Sequence, residues 1–356
     1  MIDLEGRVKL GEGAGGEMMQ ELLKKRVLPL LGNRSGDPFG IPPDLLDDST
    51  AWDDTAFTID GHTVWPLIFP GGDIGSLAVT GTVNDLAVVG AVPERIALSM
   101  VIEEGLSYDE LDRILSSVGE VSRKCGVEVV TGDTKVVESG GVKGMFISTA
   151  GIGTRHPSLD RCLAGDDMGR MGPGCRWLRD DRLKVGDRII LTGSVGDHGI
   201  SLLSFREGYG FETEVASDLA PLTGLMDAAI SAGGVYAAKD LTRGGLSNGV
   251  NELSQKSRTG ILLHEEAIPV KEPVRSACDM LGLDPYEIGN EGKAVLAVSR
   301  KRVDEVISAV RSVDEGKDAV VIGEVTDRYE RVVLETAVGG RRIMDPPYGD
   351  PIPRIC

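Results

Sequence analysis

The chain has no excess of basic residues. Against 56 Asp and Glu residues stand 38 Lys and Arg residues in 356, and the formal net charge is −18. This balance leaves no basic face for a phosphate backbone or an anionic bilayer, so nucleic acid and membrane surfaces are excluded as favourable partners. The sequence also lacks an apolar run of the roughly 18 residues that a membrane span requires. Residues 1–5 show neither the basic start nor the apolar stretch of a signal peptide, and we expect a cytoplasmic protein.

Cysteine and histidine are scarce and dispersed. The four histidines do not cluster with cysteines, and no C-x-x-C pair occurs among the five cysteines, Cys125, Cys162, Cys175, Cys278 and Cys356. This pattern excludes a disulfide framework and gives no zinc-binding spacing. Because the number is odd, at least one thiol is expected to be free.

What the sequence does contain is ordinary globular material, with 41% hydrophobic residues and 48 glycines. Strand-like and helix-like runs alternate in two blocks, which predicts an α+β protein of two αβ domains. A predicted hairpin between residues 55–60 and 63–69 favours a mixed sheet over a doubly wound one. The predicted units are a glycine-rich segment (1–40), a first αβ domain (41–155), a linker or flexible insertion (156–184), a second αβ domain (185–344) and a flexible tail (345–356).

The tail contains four prolines and ends on Cys356. Proline fixes φ and lacks an N–H, so these twelve residues can neither continue a helix nor occupy a sheet centre. We expect an extended strip. Its terminal thiol is either incidental to a frayed terminus or is carried into a distant pocket.

Acidic residues recur at strand ends and helix starts of the first domain, in Asp47-Asp48, Asn84-Asp85 and Gly132-Asp133-Thr134-Lys135. Carboxylates that converge from several loops suit Mg²⁺ bound together with a nucleotide. Each alone could equally cap a turn. Asp85 is the exception, because its small and apolar neighbours imply a buried carboxylate that needs a partner. Asp133 and Lys135 would share one face of a strand, where the lysine could neutralise phosphate.

Three motifs of the second domain carry polar groups. His198 is placed at a helix start, where the helix dipole favours a neutral ring. Residues 240–245, Asp-Leu-Thr-Arg-Gly-Gly, follow a strand and open a helix, so free N–H groups together with Arg243 could bind an anion. Glu291 stands between Asn290 and Gly292 just before a strand, which indicates either turn chemistry or a positioned base.

The glycine-rich stretch Gly11-Glu-Gly-Ala-Gly-Gly16 satisfies G-x-G-x-x-G. Its context does not fit a dinucleotide fingerprint, because no complete βαβ unit with an acidic ribose-binding residue follows. The stretch is predicted to be either a plain glycine-rich turn or a mobile loop that touches a substrate.

Seven segments occur in order along nearly the whole chain: Phe69-Pro-Gly-Gly-Asp-Ile-Gly75, Gly81-Thr-Val-Asn-Asp-Leu-Ala87, Gly132-Asp-Thr-Lys-Val-Val137, Gly196-Asp-His-Gly199, Thr242-Arg-Gly-Gly245, Asn290-Glu-Gly-Lys293 and Pro353-Arg-Ile-Cys356. Together they resemble the HypE family of hydrogenase maturation proteins, the carbamoyl dehydratases of NiFe-hydrogenase assembly. That family lies within the superfamily of aminoimidazole ribonucleotide synthetase and selenophosphate synthetase. The terminal tetrapeptide is the specific part of the match.

The resemblance implies an N-terminal domain that forms a barrel across a homodimer, with ATP and Mg²⁺ near the interface. It also implies that Cys356 is the substrate, loaded with a carbamoyl group by the carbamoyltransferase HypF. ATP then phosphorylates the carboxamide oxygen, and loss of phosphate leaves a thiocyanate whose cyanide passes to iron on the HypC–HypD complex. Phosphate is a good leaving group and the amide oxygen a poor one, which explains the use of ATP.

The resemblance also assigns site residues. The catalytic group comprises Cys356, Lys135, Glu291 and His198, of which Glu291 and His198 are the first candidates for proton transfer and Lys135 the third. Nucleotide contacts are assigned to Asp47, Asn84, Thr134, Asp240 and Arg243. Metal ligands are assigned to Asp48, Asp85 and Asp133, and docking of the tail to Arg354.

Three positions depart from the family pattern. Glu12 stands where a histidine is common, Leu241 replaces a usual proline, and Gly289 replaces a usual alanine. Cys162 and Cys175 have no family role, so solvent thiols and a local partner contact are both open. One alternative is another enzyme of the superfamily, although a selenophosphate synthetase should keep a cysteine near the glycine loop. The other is a non-enzymatic carrier that uses the tail and turns over no ATP.

Overall fold

The computed structural model describes residues 6–31, 39–164, 175–207 and 215–349. The predictions for Cys356 and Arg354 therefore lie outside the described residues. In these ranges the α-helices are α1 (Gly16–Leu22), α2 (Leu28–Leu31), α3 (Ile74–Val88), α4 (Tyr108–Cys125), α5 (Leu159–Ala164), α6 (Asp197–Glu207), α7 (Thr223–Ala232), α8 (Gly245–Ser257), α9 (Glu272–Leu281) and α10 (Val303–Arg311). The strands are β1 (Thr50–Trp52), β2 (Thr55–His62), β3 (Ile68–Phe69), β4 (Gly72–Asp73), β5 (Ala91–Glu103), β6 (Glu128–Val137), β7 (Met145–Arg155), β8 (Arg188–Leu191), β9 (Val235–Asp240), β10 (Gly260–His264), β11 (Ala294–Val298), β12 (Val320–Thr326), β13 (Val332–Glu335) and β14 (Arg341–Ile343).

The N-terminal domain is built on a five-stranded mixed sheet in the order β1-β2-β7-β5-β6. The pair β5–β6 is parallel, because α4 connects the two strands, and the other pairs are antiparallel. Helix α3 packs on β2, β7 and β5, and α4 packs on α3. The sheet is open in one protomer, and β6 forms its exposed edge.

Helix α3 is the central element of this domain. The Asp73 carboxylate accepts hydrogen bonds of 2.9 Å from the amides of Gly75 and Ser76 and thereby caps the helix. Every residue of α3 except Asp85 is buried. A Cβ at Gly75 would lie 2.4 Å from the Ile114 carbonyl oxygen, so this glycine permits the close approach of α4.

The C-terminal domain contains a seven-stranded sheet in the order β14-β13-β10-β12-β8-β11-β9. All of its pairs are antiparallel except β10–β13. Residues of α7 and α10 cover one face, and residues of α8 cover the other. Strand β11 is buried at all five positions, which agrees with a strand that has helices on both sides.

One apolar core runs through both domains. It joins Leu86 and Val88 of α3 to Leu225 of α7, Ala238 of β9 and Leu296 of β11. Because this contact is apolar and buried, it holds Asp85, near the C-terminal end of α3, close to Asp240, at the C-terminal end of β9. Those ends form the walls of the site.

Two predictions about local structure need correction. The predicted strand 63–69 is reduced to β3, which pairs with β4, and β2 instead pairs with β1 and β7, so the predicted hairpin is wrong. The described part of the predicted linker is packed, since α5 buries Leu159 and Cys162 in the shared core.

Strand β14 was not predicted, and all three of its residues are exposed. None of the helices in the described ranges combines the length and apolarity needed to cross a bilayer.

Candidate active site

A cavity of about 270 Å³ opens between the two domains. Its walls come from the loop before β1, from β2, α3, β9 and α8, and from the glycine-rich loop that precedes α1. The titratable residues that line it are Asp47, Asp48, Asp60, His62, Asp85, Lys239, Asp240, Arg243, Glu252 and Glu291. The structure thus brings together six of the predicted site residues, namely Asp47, Asp48, Asp85, Asp240, Arg243 and Glu291.

Asp47 and Asp48 are held by groups from distant parts of the chain. Asp47 accepts hydrogen bonds from the Asp48 amide (3.0 Å) and the Asp180 amide (3.1 Å). Asp48 pairs with Lys239 of β9, with 2.5 Å between Oδ1 and Nζ. Burial raises the pKa of Asp47 to about 8 and that of Asp48 to about 6, although Lys239 opposes the rise at Asp48.

Two carboxylates complete the acidic wall. Asp85 of α3 accepts a hydrogen bond of 2.9 Å from the Thr58 hydroxyl. Asp240 ends β9. Burial raises the pKa of both Asp85 and Asp240 well above the usual carboxyl range; repulsion from Asp240 and then from Asp60 and Asp48 adds to the rise at Asp85, and repulsion from Asp48 and then Asp60 adds to it at Asp240. In the described structure, the Oδ2 atoms of Asp48 and Asp240 are buried without a hydrogen-bond donor. Such oxygens are available to a cation.

A buried network of opposite charges lies behind this wall. Lys239 also contacts Asp180 (3.3 Å) and Glu252 (3.2 Å), and Lys256 contacts the same two carboxylates at 2.6 and 3.3 Å. Attraction to these acids outweighs burial and raises the pKa of both lysines. The two ammonium groups outweigh the burial of Glu252 and lower its pKa to about 2. Both lysines are therefore charged.

The Asn-Glu-Gly-Lys motif directs a single acid toward the cavity. Asn290 is completely buried and accepts from the Gly196 amide at 2.8 Å, so its side chain fixes a loop. A Cβ at Gly292 would lie 2.0 Å from the Asp218 carbonyl oxygen, and only glycine fits there. Lys293 pairs with the Asp218 carboxylate at 3.4 Å. Burial, then the charges of Asp240 and Asp218, raises the pKa of Glu291 well above its usual range.

His198 lies at the start of α6 and is fully buried. Its Nδ1 is 2.7 Å from the Ser217 hydroxyl, and its Nε2 is 4.0 Å from Glu291 Oε1. The ring packs edge-on against Phe69. Burial lowers the pKa of His198 to about 3, so the ring is neutral, as its position at a helix start predicts.

Three predicted site residues lie elsewhere in the protomer. Asp133, Thr134 and Lys135 are exposed on β6, and within the described ranges β6 contributes nothing to the cavity wall. Asp133 and Lys135 do share one face of the strand, as expected from a period of two. Their participation stays a prediction that requires a second protomer.

Other residues serve the fold. Asn84 accepts from the Leu222 amide at 2.7 Å and donates to the carbonyl oxygens of Ala220 and Glu291, so it connects α3 to the C-terminal domain. Glu12 folds back to accept from the Lys9 amide at 2.7 Å.

The two linker cysteines are not solvent thiols. Cys162 is buried in the core, and Cys175 is half-buried against it. Burial raises the pKa of both thiols, to about 11 for Cys162.

Sequence reasoning missed Asp60, His62 and Lys239. A signal for two of them was present, because a lone carboxylate at the inward positions of β2 and a lone lysine in an apolar β9 would both be costly without a function or partner. His62 Nε2 lies 3.5 Å from Asp60 Oδ2 and 3.3 Å from the Thr149 hydroxyl.

The comparisons with known proteins agree with this architecture. Residues 46–154 match the AIR synthase related protein N-terminal domain, and residues 184–335 match the corresponding C-terminal domain. A putative hydrogenase expression/formation protein of Methanocaldococcus jannaschii is 45% identical over 97% of this chain and 98% of its own. Carbamoyl dehydratase HypE of Azotobacter vinelandii is 42% identical over 100% of this chain and 99% of its own.

Two solved structures are similar over most of the chain. The crystal structure of a HypE–HypF complex superposes with a TM-score of 0.82 at 36% identity and covers 92% of this chain and 99% of the matched one. A HypE structure in complex with ATP gives a TM-score of 0.77 at 36% identity and covers 98% of this chain and 100% of the matched one.

The fold and its interdomain cavity define a two-domain protein of the AIR synthase-related class. The full-length identity to curated relatives narrows this assignment. The chain belongs to the HypE family of hydrogenase maturation proteins. The predicted family and the predicted two-domain α+β fold are thereby confirmed.

Proposed function

We infer that this chain is an ATP-dependent carbamoyl dehydratase that converts the S-carbamoylated Cys356 to a thiocyanate and so supplies cyanide for assembly of a NiFe-hydrogenase site. The observation that carries this function is the acidic interdomain cavity with Glu291 in its wall, in a chain 42% identical to a carbamoyl dehydratase. In net terms, the thiocarbamate and ATP give the thiocyanate, ADP and phosphate. The carboxamide oxygen leaves in the phosphate, and nitrogen loses both protons.

Glu291 is the proposed base. A carboxyl whose pKa is raised by burial, and then by the charges of Asp240 and Asp218, accepts a proton more readily than an exposed one. His198 lies 4.0 Å from it, too far for a hydrogen bond, and its ring is neutral, so it places no positive charge beside the carboxylate. Arg243, at the opening of α8, faces the same cavity and would bind phosphate oxygens.

The carboxylates of the cavity fit Mg²⁺. Asp48, Asp85 and Asp240 would hold it, since burial and mutual repulsion already raise their pKa values and two of their oxygens have no donor. When bound, Mg²⁺ supplies charge neutralisation for the phosphates. Among the described residues no three acidic, His or Cys groups form a ready-made metal cluster, so the proposed ion would need further ligands from nucleotide and water.

A second copy of the chain would complete the site. Strand β6 is an unpaired sheet edge with exposed Val130 and Val136, and the sheet face opposite α3 exposes Ile59 and Ile152. Unpaired edges and open apolar faces favour association. We propose that a homodimer buries these surfaces and places Asp133, Thr134 and Lys135 of one protomer near the cavity of the other, as a barrel across the dimer would.

The remaining partners follow from the relatives. A HypF-type carbamoyltransferase is proposed to load Cys356, because the similar HypE structure is a complex with HypF. A HypC–HypD complex is proposed as cyanide acceptor, and the pathway is placed in the cytoplasm. Since one thiol must meet a loading protein, the cavity and an acceptor, the tail is proposed to adopt at least two positions.

Mass spectrometry of the terminal peptide tests the function. After carbamoylation by the HypF-type partner, addition of ATP and Mg²⁺ should remove the mass of one water from the peptide that contains Cys356. Cys356→Ala should show neither carbamoylation nor water loss at this peptide, and Glu291→Gln should be carbamoylated but retain the water. If the wild-type peptide keeps its full mass with ATP, the proposed function is wrong. ATP hydrolysis separates this enzyme from a non-enzymatic carrier, which turns over none.

A further inference from the structure

Two glycines, Gly16 and Gly244, lie against the C-terminal segment. A Cβ at Gly16 would lie 2.3 Å from the Pro347 carbonyl oxygen, and a Cβ at Gly244 would lie 2.9 Å from Pro347 Cγ. A Cβ at Gly15 would meet the Cβ of Arg243 at 2.8 Å, so the two loops also touch. The glycines therefore form a notch that Pro347 fills.

Hydrogen bonds hold the same segment from both sides. The Glu17 amide of α1 donates to the Pro347 carbonyl oxygen at 3.4 Å. From α8, the Ser247 hydroxyl donates to the Asp345 carbonyl oxygen at 2.7 Å, and the Asn251 side-chain amide donates to the Met344 carbonyl oxygen at 2.8 Å. Ser247 and Asn251 are both buried, which shields these bonds from water.

The notch adjoins the interdomain cavity, because the sequence neighbours of its two glycines, Gly15, Arg243 and Gly245, line the cavity. Seven residues, 350–356, separate Gly349 from the terminal thiol, and an extended chain of that length spans about 25 Å. A fixed origin beside the cavity therefore limits the distance between the thiol and the cavity to about this length.

We propose that residues 344–349 are the anchor of the cysteine-bearing C-terminus, and that Gly16, Gly244, Ser247 and Asn251 position this anchor for dehydration at Cys356. The inference rests on the proposed function. The anchor also assigns a role to the glycine-rich loop, which the sequence predicted to be either a plain turn or a substrate-contacting loop. In this proposal the loop binds the C-terminal segment of its own chain.

The size of the effect follows from tether length. If the anchor opens, the chain is free from the end of β14 at Ile343, and the tether grows from seven residues to thirteen. The effective concentration of the tethered thiol at the site falls with the −3/2 power of tether length or more steeply. Opening the anchor should therefore slow dehydration by a factor of about 2.5 or more. ATP binding does not depend on the tether and should be unchanged.

Gly16→Ala is the test, with Gly282→Ala as its matched control. The two glycines have φ of +68° and +70°, so alanine strains both backbones alike, but nothing lies within 4 Å of a Cβ at Gly282. Each full-length variant is carbamoylated at Cys356 by the HypF-type partner, and the rate of water loss at saturating ATP and Mg²⁺ is measured together with ATP affinity. Hydrogen exchange of the Glu17 amide reports directly on the anchor.

We expect Gly16→Ala to dehydrate the carbamoylated thiol about 2.5-fold more slowly than Gly282→Ala, or more slowly still. Its ATP affinity should be the same, and hydrogen exchange of its Glu17 amide should be faster. Ser247→Ala removes one hydrogen bond to the anchor and should also slow dehydration. It replaces Gly16→Ala as the test of the anchor if Gly16→Ala does not fold. Wild-type rates in Gly16→Ala, or in Ser247→Ala where that variant decides, would overturn the anchor. Absence of dehydration in the wild type would instead overturn the proposed function.

Discussion

His198 gives the structure a specific dependence of stability on pH. The ring is fully buried, and burial lowers its pKa from 6.5 to about 3. Below pH 6.5 this histidine takes up a proton in the unfolded chain but not in the folded chain. The neutral ring therefore leaves the free energy of unfolding unaffected above pH 6.5, and protonation of the unfolded chain lowers that free energy as the pH falls toward 3. At about 1.4 kcal/mol per pH unit, the loss from this group amounts to about 2 kcal/mol at pH 5.

The perturbation is His198→Asn, and the assay is urea unfolding at pH 8 and pH 5. The variant loses packing at both pH values, but the carboxylates titrate in both proteins, so the difference in pH dependence isolates the histidine. Wild type should lose about 2 kcal/mol more than His198→Asn between the two pH values. His264, whose side chain is 47% exposed, is the control, and His264→Asn should follow wild type to within about 0.5 kcal/mol. Equal losses in wild type and His198→Asn would refute the reasoning.

Three further variants test the charges and the open sheet edge. Asp85→Asn removes a buried, repelled carboxylate, so at pH 8 it should raise the free energy of unfolding by on the order of 1 kcal/mol and abolish dehydration; a less stable, active variant would contradict this. Lys239→Met should lower the free energy of unfolding, measured in urea, by about 3–5 kcal/mol, because it leaves buried carboxylates without their partner. Lys25→Met is the control; it breaks an exposed i,i+4 pair and should lower the same quantity by about 0.3–0.5 kcal/mol. Similar losses in the two variants would contradict a stabilising buried network. Val136→Glu on β6 should convert the proposed dimer to monomer in sedimentation velocity, and an intact dimer would exclude this edge as the interface.

The elements with strong periodicity could be predicted from the sequence. Apolar runs bounded by glycine or polar residues predict helices over 74–89 and 246–256 and strands over 235–239 and 294–298. The observed ends of α3, α8, β9 and β11 lie within one residue of these ranges. The predicted strand 63–69 failed for a physical reason. It has an apolar alternation, but Pro66 in its middle has no N–H to donate to a sheet.

The site could be predicted only in part. Asp48 was expected as one of several acids that recur at strand ends and helix starts, Asp85 because its neighbours are apolar, and Glu291 because it lies next to a glycine just before a strand; all three line the cavity. The pairing of Lys239 with Asp180 joins residues 59 positions apart, and no local pattern encodes it. Lys135 is exposed on β6, away from the cavity of its own protomer, so its proposed role depends on a second copy that the sequence of one strand does not describe.

The charge of the cavity constrains how nucleotide can enter. In the described structure seven acidic residues line it and only Lys239 and Arg243 bring positive charge, the acids being Asp47, Asp48, Asp60, Asp85, Asp240, Glu252 and Glu291. Lys239 is already committed to Asp48, Asp180 and Glu252. A free triphosphate would therefore find little positive charge in the cavity, and on the proposed function the site requires the Mg²⁺ complex of ATP together with a cation from outside the protomer. In the proposed homodimer, Lys135 on the exposed edge of the second copy would supply this cation, and dimerisation would then be a condition of nucleotide binding.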